Sequence, residues 1–133
     1  MWDTAGQEDY DKLRPVGYDK VNILFFIFDR SNPISLENIK SKWIQEANAN
    51  IKNPRLVKIL VENKCDLESA CLSPSHAVLL DELRSEMDYF VKTSAVSYEG
   101  IHELFEKSLE IYERKNRRTV KCNLFRNPFS KFG

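Results

Sequence analysis

Three short polar stretches hold the side chains best suited to chemistry: Asp3-Thr4-Ala5-Gly6-Gln7, Asn63-Lys64-Cys65-Asp66 and Thr93-Ser94-Ala95. Between them they carry two carboxylates (Asp3, Asp66), two carboxamides (Gln7, Asn63), an ammonium (Lys64), a thiol (Cys65) and three hydroxyls (Thr4, Thr93, Ser94). Each stretch follows an apolar segment. The first follows Met1-Trp2, the second a run ending at Val61 and Glu62, and the third a run starting at Tyr89. Open parallel sheets bind ligands beyond the carboxyl ends of their strands. Three polar stretches at such ends therefore weigh more than any one of them. A four-residue pattern such as Asn-Lys-x-Asp arises easily by chance, and the plain alternative for Asp3 and Gln7 is a polar turn that closes a strand.

The elements that must position these residues are legible from periodicity. Val21 to Phe28 is a near-continuous apolar run, which predicts a strand covered on both faces of a parallel sheet. Asn32-Pro33 breaks it, and Ser35 is placed to cap a helix. From Ser35 to Ala49, Leu36, Ile39, Trp43 and Ala47 recur at helical spacing. Leu56 to Val61 reads as a second buried strand. Ser73-Pro74 opens another helix in the cap-then-proline order, with Leu79, Leu80, Leu83 and Met87 as its stripe. Tyr89 to Ala95 reads as a third strand. A last amphipathic helix runs from Glu99 to about Arg117, with Ile101, Leu104, Phe105, Leu109 and Tyr112 expected inward. The order β-α-β-α-β-α with short connections predicts an α/β fold around a parallel sheet. There is no internal repeat, low-complexity tract or interdomain linker.

Composition bounds the function classes. The chain has 133 residues, enough for one core, and its 20 Lys plus Arg balance 20 Asp plus Glu. No global field draws it to nucleic acid or to a membrane. Arg114, Lys115, Arg117, Arg118 and Lys121 cluster within eight residues. The bland reading is a solvated helix end, and the sharper one a juxtamembrane basic patch. Cys65, Cys71 and Cys122 form no CxxC pair, which suits free thiols in a reducing cytoplasm. The longest apolar run is too short to cross a bilayer.

Taken together, the three polar stretches resemble the small GTPase superfamily, and the likeness runs from Trp2 to about Lys115. Asn-Lys-x-Asp and Ser-Ala, 28 positions apart from Asp66 to Ser94, are the elements that carry it. The resemblance implies a P-loop NTPase-type doubly wound, mostly parallel sheet, guanine nucleotide (GTP/GDP) and Mg²⁺ as cofactors, and GTP hydrolysis as a signalling switch. By that resemblance Asp66 reads the base, since a carboxylate accepts from both the ring N–H and the exocyclic amine of guanine while adenine offers the wrong pattern. Lys64 lies along the base, Asn63 ties neighbouring loops, Ala95 offers its N–H to the guanine carbonyl and Ser94 supports the loop. Asp3 helps hold Mg²⁺, Gly6 sets its N–H against the γ-phosphate, and Gln7 is the catalytic residue that orients water. Tyr10, Leu13-Arg14-Pro15, Tyr18, Asn32-Pro33, Ser35, Glu37-Asn38 and Lys42-Trp43 point to the Rho/Rac-like branch. Residues 7–18 then form the switch II segment, through which exchange factors, GTPase-activating proteins and effectors bind. Residues 1–117 make a partial G domain and 118–133 a basic tail.

The sequence also departs from the family. Val96 follows Ser-Ala where the family usually has lysine, and the 27 residues from Leu67 to Thr93 leave no room for the extra surface helix typical of the Rho branch. "RRTVKCNLF" would suit prenylation of Cys122, and with it membrane association, if the chain stopped at Phe125; it continues for eight residues. No G-x-x-x-x-G-K-[ST] occurs, and the four glycines are Gly6, Gly17, Gly100 and Gly133. The family's P-loop, switch I and first strands have no counterpart, so the expectation is an incomplete sheet, N-terminally truncated, with an apolar edge on Val21–Phe28 and Met1 a start inside a longer reading frame. A chain without the P-loop donors is expected to hydrolyse no GTP at a useful rate, because those N–H groups and the lysine carry most of the transition-state stabilisation. The alternative function is a non-catalytic binding module that keeps switch II and the guanine reader and engages regulators.

Overall fold

The computed structural model describes residues 18 and 20–124, with side chains up to residue 117. The elements in chain order are β1 (Ile23–Asp29), α1 (Pro33–Asn38), a π-helical turn (Ile39–Trp43), α2 (Ile44–Asn50), β2 (Val57–Asn63), α3 (Pro74–Ser85), β3 (Tyr89–Lys92) and α4 (Ile101–Leu124). The three strands form one parallel sheet in the order β1-β2-β3, with Asp29 opposite Asn63 and Glu62 opposite Lys92 at the carboxyl end. The α/β class read from the sequence holds.

Side-chain alternation splits the interior into two cores, one on each face of the sheet. On one face Phe26, Phe28 and Leu60 meet Leu36, Ile39 and Ala47 from the first helical segment and Leu83 from α3, with Leu79, Leu80 and Met87 packed partly against them. On the other face Val57, Ile59, Val61 and Val91 meet Leu104 and Ile111 of α4. Helices thus cover both faces, as a doubly wound sheet requires. Burying these aliphatic groups is worth roughly 1.5–3 kcal/mol per side chain, which makes the two cores the main source of stability.

Four local expectations need correction. Among the described residues the second face of β1 is covered only in part: Phe26 and Phe28 are buried on the first face, whereas Ile27 between them is 55% exposed. Its side of the strand looks toward α4, where Ile23 and Phe25 pack against the second core and Phe25 lies edge-on to Phe105 at 6.1 Å. Ser35 does not cap the helix. The helix starts at Pro33, and the Ser35 hydroxyl accepts instead from the Asp29 N–H at 2.9 Å and donates to the Asn32 carbonyl at 2.6 Å, pinning the turn after β1. In α4, Leu109 is 57% exposed and Phe105, although it meets Phe25, remains 42% exposed; the buried residues are Leu104, Ser108 and Ile111. Ser108 is invisible to a hydropathy count but buries well, because its hydroxyl returns to the Phe105 carbonyl of its own helix at 2.8 Å. Finally, β3 ends at Lys92, and residues 93–95 lie in the loop beyond it.

The first helical segment is interrupted by its π turn, where the Ile44 N–H bonds to the Ile39 carbonyl five residues back. The wider turn shifts the helical phase, so that Trp43 and its neighbour Ile44 both pack against the core. At α3 the sequence reading holds: Ser73 is the N-cap, its hydroxyl accepting from the His76 N–H, and Pro74 opens the first turn. His76 also donates toward Glu37 of α1 at 2.8 Å, so the cap fastens the two helices to each other.

Candidate functional site

The carboxyl ends of β2 and β3 bring the second and third polar stretches together. β2 runs through Asn63, and its next residue, Lys64, turns in the left-handed region at φ 61°. That turn sends the Cys65 N–H to the Thr93 carbonyl at 3.0 Å and lays residues 65–70 beside the loop after β3. The turn is then closed by local bonds from Leu67 to Lys64, Glu68 to Asp66 and Ala70 to Leu67.

Ser94 is the keystone of the junction. It is fully buried, and its hydroxyl donates to Asp66 Oδ1 at 2.6 Å while accepting from the N–H groups of Val96 and Ser97 at 3.2 and 3.1 Å. The Ser94 hydroxyl is thereby fully used, and one oxygen of the Asp66 carboxylate is fixed in direction. The other oxygen takes no hydrogen bond among the described residues, and Asp66 is exposed. Between the satisfied amides of Ser94 and Val96, the Ala95 N–H has no partner among the described residues. Asn63 accepts from the Thr93 hydroxyl at 3.3 Å and its carbonyl accepts from the Arg30 N–H at 3.1 Å. Asn63, Thr93 and Ala95 also share the mouth of one cleft, which continues down to Phe25, Ile27 and Phe105. Of the sequence-predicted residues, Asn63, Lys64, Asp66, Ser94 and Ala95 thus occupy one corner; Asp3, Gly6, Gln7 and all of 7–18 except Tyr18 lie outside the described residues.

Lys64 makes an ion pair with Asp29 at the end of β1, Nζ to Oδ2 2.5 Å. The lysine, followed by the Ser31 hydroxyl and N–H, holds the Asp29 carboxyl below the usual carboxylate range. A lowered folded value means that the contribution to stability is present above the unfolded carboxylate range and is lost as the pH falls through the folded one. In urea denaturation between about pH 6 and pH 3, the Lys64→Met variant is expected to lose less stability on acidification than the parent chain. Equal acid sensitivity would remove the pair from the account. The Cys65 thiol is pushed above its usual range by burial first and then by Glu99, which disfavours the thiolate.

The loop from Ser94 to Gly100 is closed by the Ser94 N–H on the Glu99 carbonyl, and Gly100 carries it into α4 at φ 68°. A Cβ there would stand 1.9 Å from the Lys92 carbonyl oxygen. Gly100→Ala is therefore expected to cost about 1–3 kcal/mol from the backbone conformation, with the clash added to it. Thermal denaturation checks this, and an unchanged midpoint would contradict it.

Sequence reasoning missed the partners that surround this corner, namely Asp29, Arg30 and Glu62. The only signal was a carboxylate, Glu62, at the end of an otherwise apolar strand. Among the described residues no group of three or more His, Cys, Asp or Glu is placed to hold a metal ion, and no helix is long and apolar enough to cross a membrane.

The model of the Ras family matches residues 1–114. The chain belongs to the Ras family of small GTPases. Among curated relatives of this Ras-family chain, the human Rho-related GTP-binding protein RhoB is 37% identical over 120 residues, covering 80% of the chain and 59% of RhoB. The GTP-binding protein rho2 of Schizosaccharomyces pombe is 42% identical over 93 residues, covering 70% of the chain and 42% of rho2. The Rho-like reading of the run through Trp43 accords with these names. The Ras-family chain spans only part of the length of either relative.

Proposed function

We propose that this Ras-family protein is a Rho-type guanine-nucleotide switch, and that these 133 residues carry its base-reading corner and switch II without a phosphate cradle. The observation that supports the reading best is the Ser94–Asp66 hydrogen bond of 2.6 Å beside the Ala95 N–H, which has no partner among the described residues. A carboxylate held by one oxygen keeps the other for the two N–H groups on one edge of guanine, and a nearby backbone donor suits the guanine carbonyl. Adenine presents the wrong polarity to the corner and would leave its groups unpaired. In this reading Lys64 lines the base, Asn63 holds the two loops together, Asp3 helps to hold Mg²⁺, Gly6 faces the γ-phosphate and Gln7 orients water. Mg²⁺, when bound, supplies charge neutralisation on the phosphates. Residues 7–18 engage exchange factors, GTPase-activating proteins and effectors.

A second reading, a non-catalytic binding module, is favoured for the 133-residue chain itself by the absence of G-x-x-x-x-G-K-[ST]. Each lost donor of an oxyanion-type cradle costs about 3–4 kcal/mol of activation free energy, and a P-loop supplies several. The isolated chain is therefore expected to show no GTP hydrolysis above buffer in a phosphate-release assay, and nucleotide affinity no tighter than about 1 mM. Mg²⁺-dependent binding in the micromolar range, or measurable turnover, would overturn this division between base reading and catalysis.

A further inference from the structure

We propose that Glu62 and Arg30 form a positioning clamp for the loop that carries Asp66, an inference that rests on the base-reading assignment for its purpose and on geometry for its existence. Glu62 is 3% exposed, at the carboxyl end of the central strand. A carboxylate so deep is tolerated only with partners. Among the described residues it has two: Arg30 Nη1 at 3.1 Å from one oxygen and Lys92 Nζ at 3.8 Å from the other. The three residues come from the ends of three neighbouring stretches, so the carboxylate joins β3, β2 and the turn after β1.

Arg30 does more than neutralise the charge. While Nη1 lies on Glu62, its Nε donates to the Ala70 carbonyl at 2.8 Å, 40 residues away along the chain. Its own N–H is bound to the Asn63 carbonyl, so backbone and side chain of one residue bracket the start and the end of the 63–70 loop. The near end of that loop is anchored by Cys65 on Thr93 and by Asp66 on Ser94. The far end is anchored, among the described residues, by Arg30. A rigid fork is needed for this, since guanidinium nitrogens at fixed angles can grip a carboxylate and a carbonyl together, whereas an ammonium is a point charge on a flexible stem. Glu62 sets the direction of the fork, and the fork sets the loop. The direction in which Asp66 presents its second oxygen is thereby fixed from both sides before any base arrives.

The test compares the parent chain with Arg30→Lys and Glu62→Gln by amide hydrogen exchange. Arg30→Lys keeps a cation for the buried carboxylate and removes the reach to Ala70. Exchange of the Glu68 and Ala70 amides is expected to quicken about tenfold, the factor carried by one lost hydrogen bond of ordinary strength. The Leu60 and Val61 amides of β2 should keep their protection. Glu62→Gln should reproduce the pattern if it folds; Arg30→Lys decides if it does not. Exchange that rises equally in β2 and in the loop, or in neither, overturns the clamp. Titration with guanosine monophosphate judges its purpose, with Arg30→Lys expected to bind several times more weakly than the parent. A parent chain that shows no guanine response overturns the base-reading role, while the exchange comparison, which needs no nucleotide, still judges the clamp.

Discussion

The Asp66→Asn variant is expected to bind guanosine monophosphate no better than adenosine monophosphate, where the parent chain prefers guanine by roughly ten- to a hundredfold, the weight of hydrogen bonds to one charged acceptor. The substitution is close to isosteric, and the corner itself should survive it. The buried Ser94 hydroxyl donates to Asp66 Oδ1, and an asparagine can keep that bond by turning its carbonyl oxygen inward. Its NH₂ then faces outward, where the carboxylate had offered an acceptor. Both guanine N–H groups now meet a donor, and the preference is lost without a change of fold. Nucleotide titration followed by amide chemical shifts would check this, with an unchanged thermal midpoint as the control. Retained guanine preference in the folded variant would remove Asp66 from the base-reading role.

Truncating Phe28 to Ala should destabilise the chain by about 3–5 kcal/mol, whereas Ile27→Ala, one residue away, should cost about 1 kcal/mol or less. Phe28 is 1% exposed and sits among Leu36, Ile39 and Leu60, so its removal leaves a cavity that the helices of that face cannot close. Ile27 points to the opposite face, where the described residues leave it more than half exposed. A domain with about 5–15 kcal/mol of total stability feels the first change as a large fraction of the whole. Urea denaturation midpoints report the difference; losses of equal size would mean that the two faces of β1 are equally buried.

This pair of neighbours also marks what was legible in the sequence. The apolar run from Val21 to Phe28 was enough to place a strand, because burial on even one face requires apolar residues there. It could not say that Ile27 would be left more than half exposed among the described residues, since composition records what a residue tolerates and not what covers it. The helices were placed by period and caps, and Ser73-Pro74 succeeded because its cap is local. Ser35 failed as a cap because its hydroxyl was claimed by Asp29 and Asn32 across the turn, a competition that spacing does not show. The exposure of Leu109 and the burial of Ser108 depend on which side of α4 meets the sheet, a tertiary matter that spacing does not carry. The π turn was equally hidden: an extra residue in a helix alters phase by too little to see in four apolar positions.

At the candidate site the sequence pointed to the polar residues that gather at the corner and concealed those that hold them. Asn63, Lys64, Asp66, Ser94 and Ala95 stood out as polar residues after apolar runs. Their supports did not, because a supporting residue is defined by its contact. Arg30 reads as an ordinary turn residue until its guanidinium is found between Glu62 and Ala70.

The central claim is that the corner between the ends of β2 and β3 reads guanine by itself, with no phosphate cradle. The most direct measurement is a titration of the ¹⁵N-labelled chain with guanosine monophosphate and, separately, adenosine monophosphate at about 1 mM, the range in which binding of about 4 kcal/mol half-saturates a site. The account predicts shifts confined to the amides of residues 63–67 and 93–97 with the guanine nucleotide, Ala95 among the largest, and little response to the adenine one. Equal responses to both nucleotides, or a guanine response located elsewhere on the chain, would contradict it.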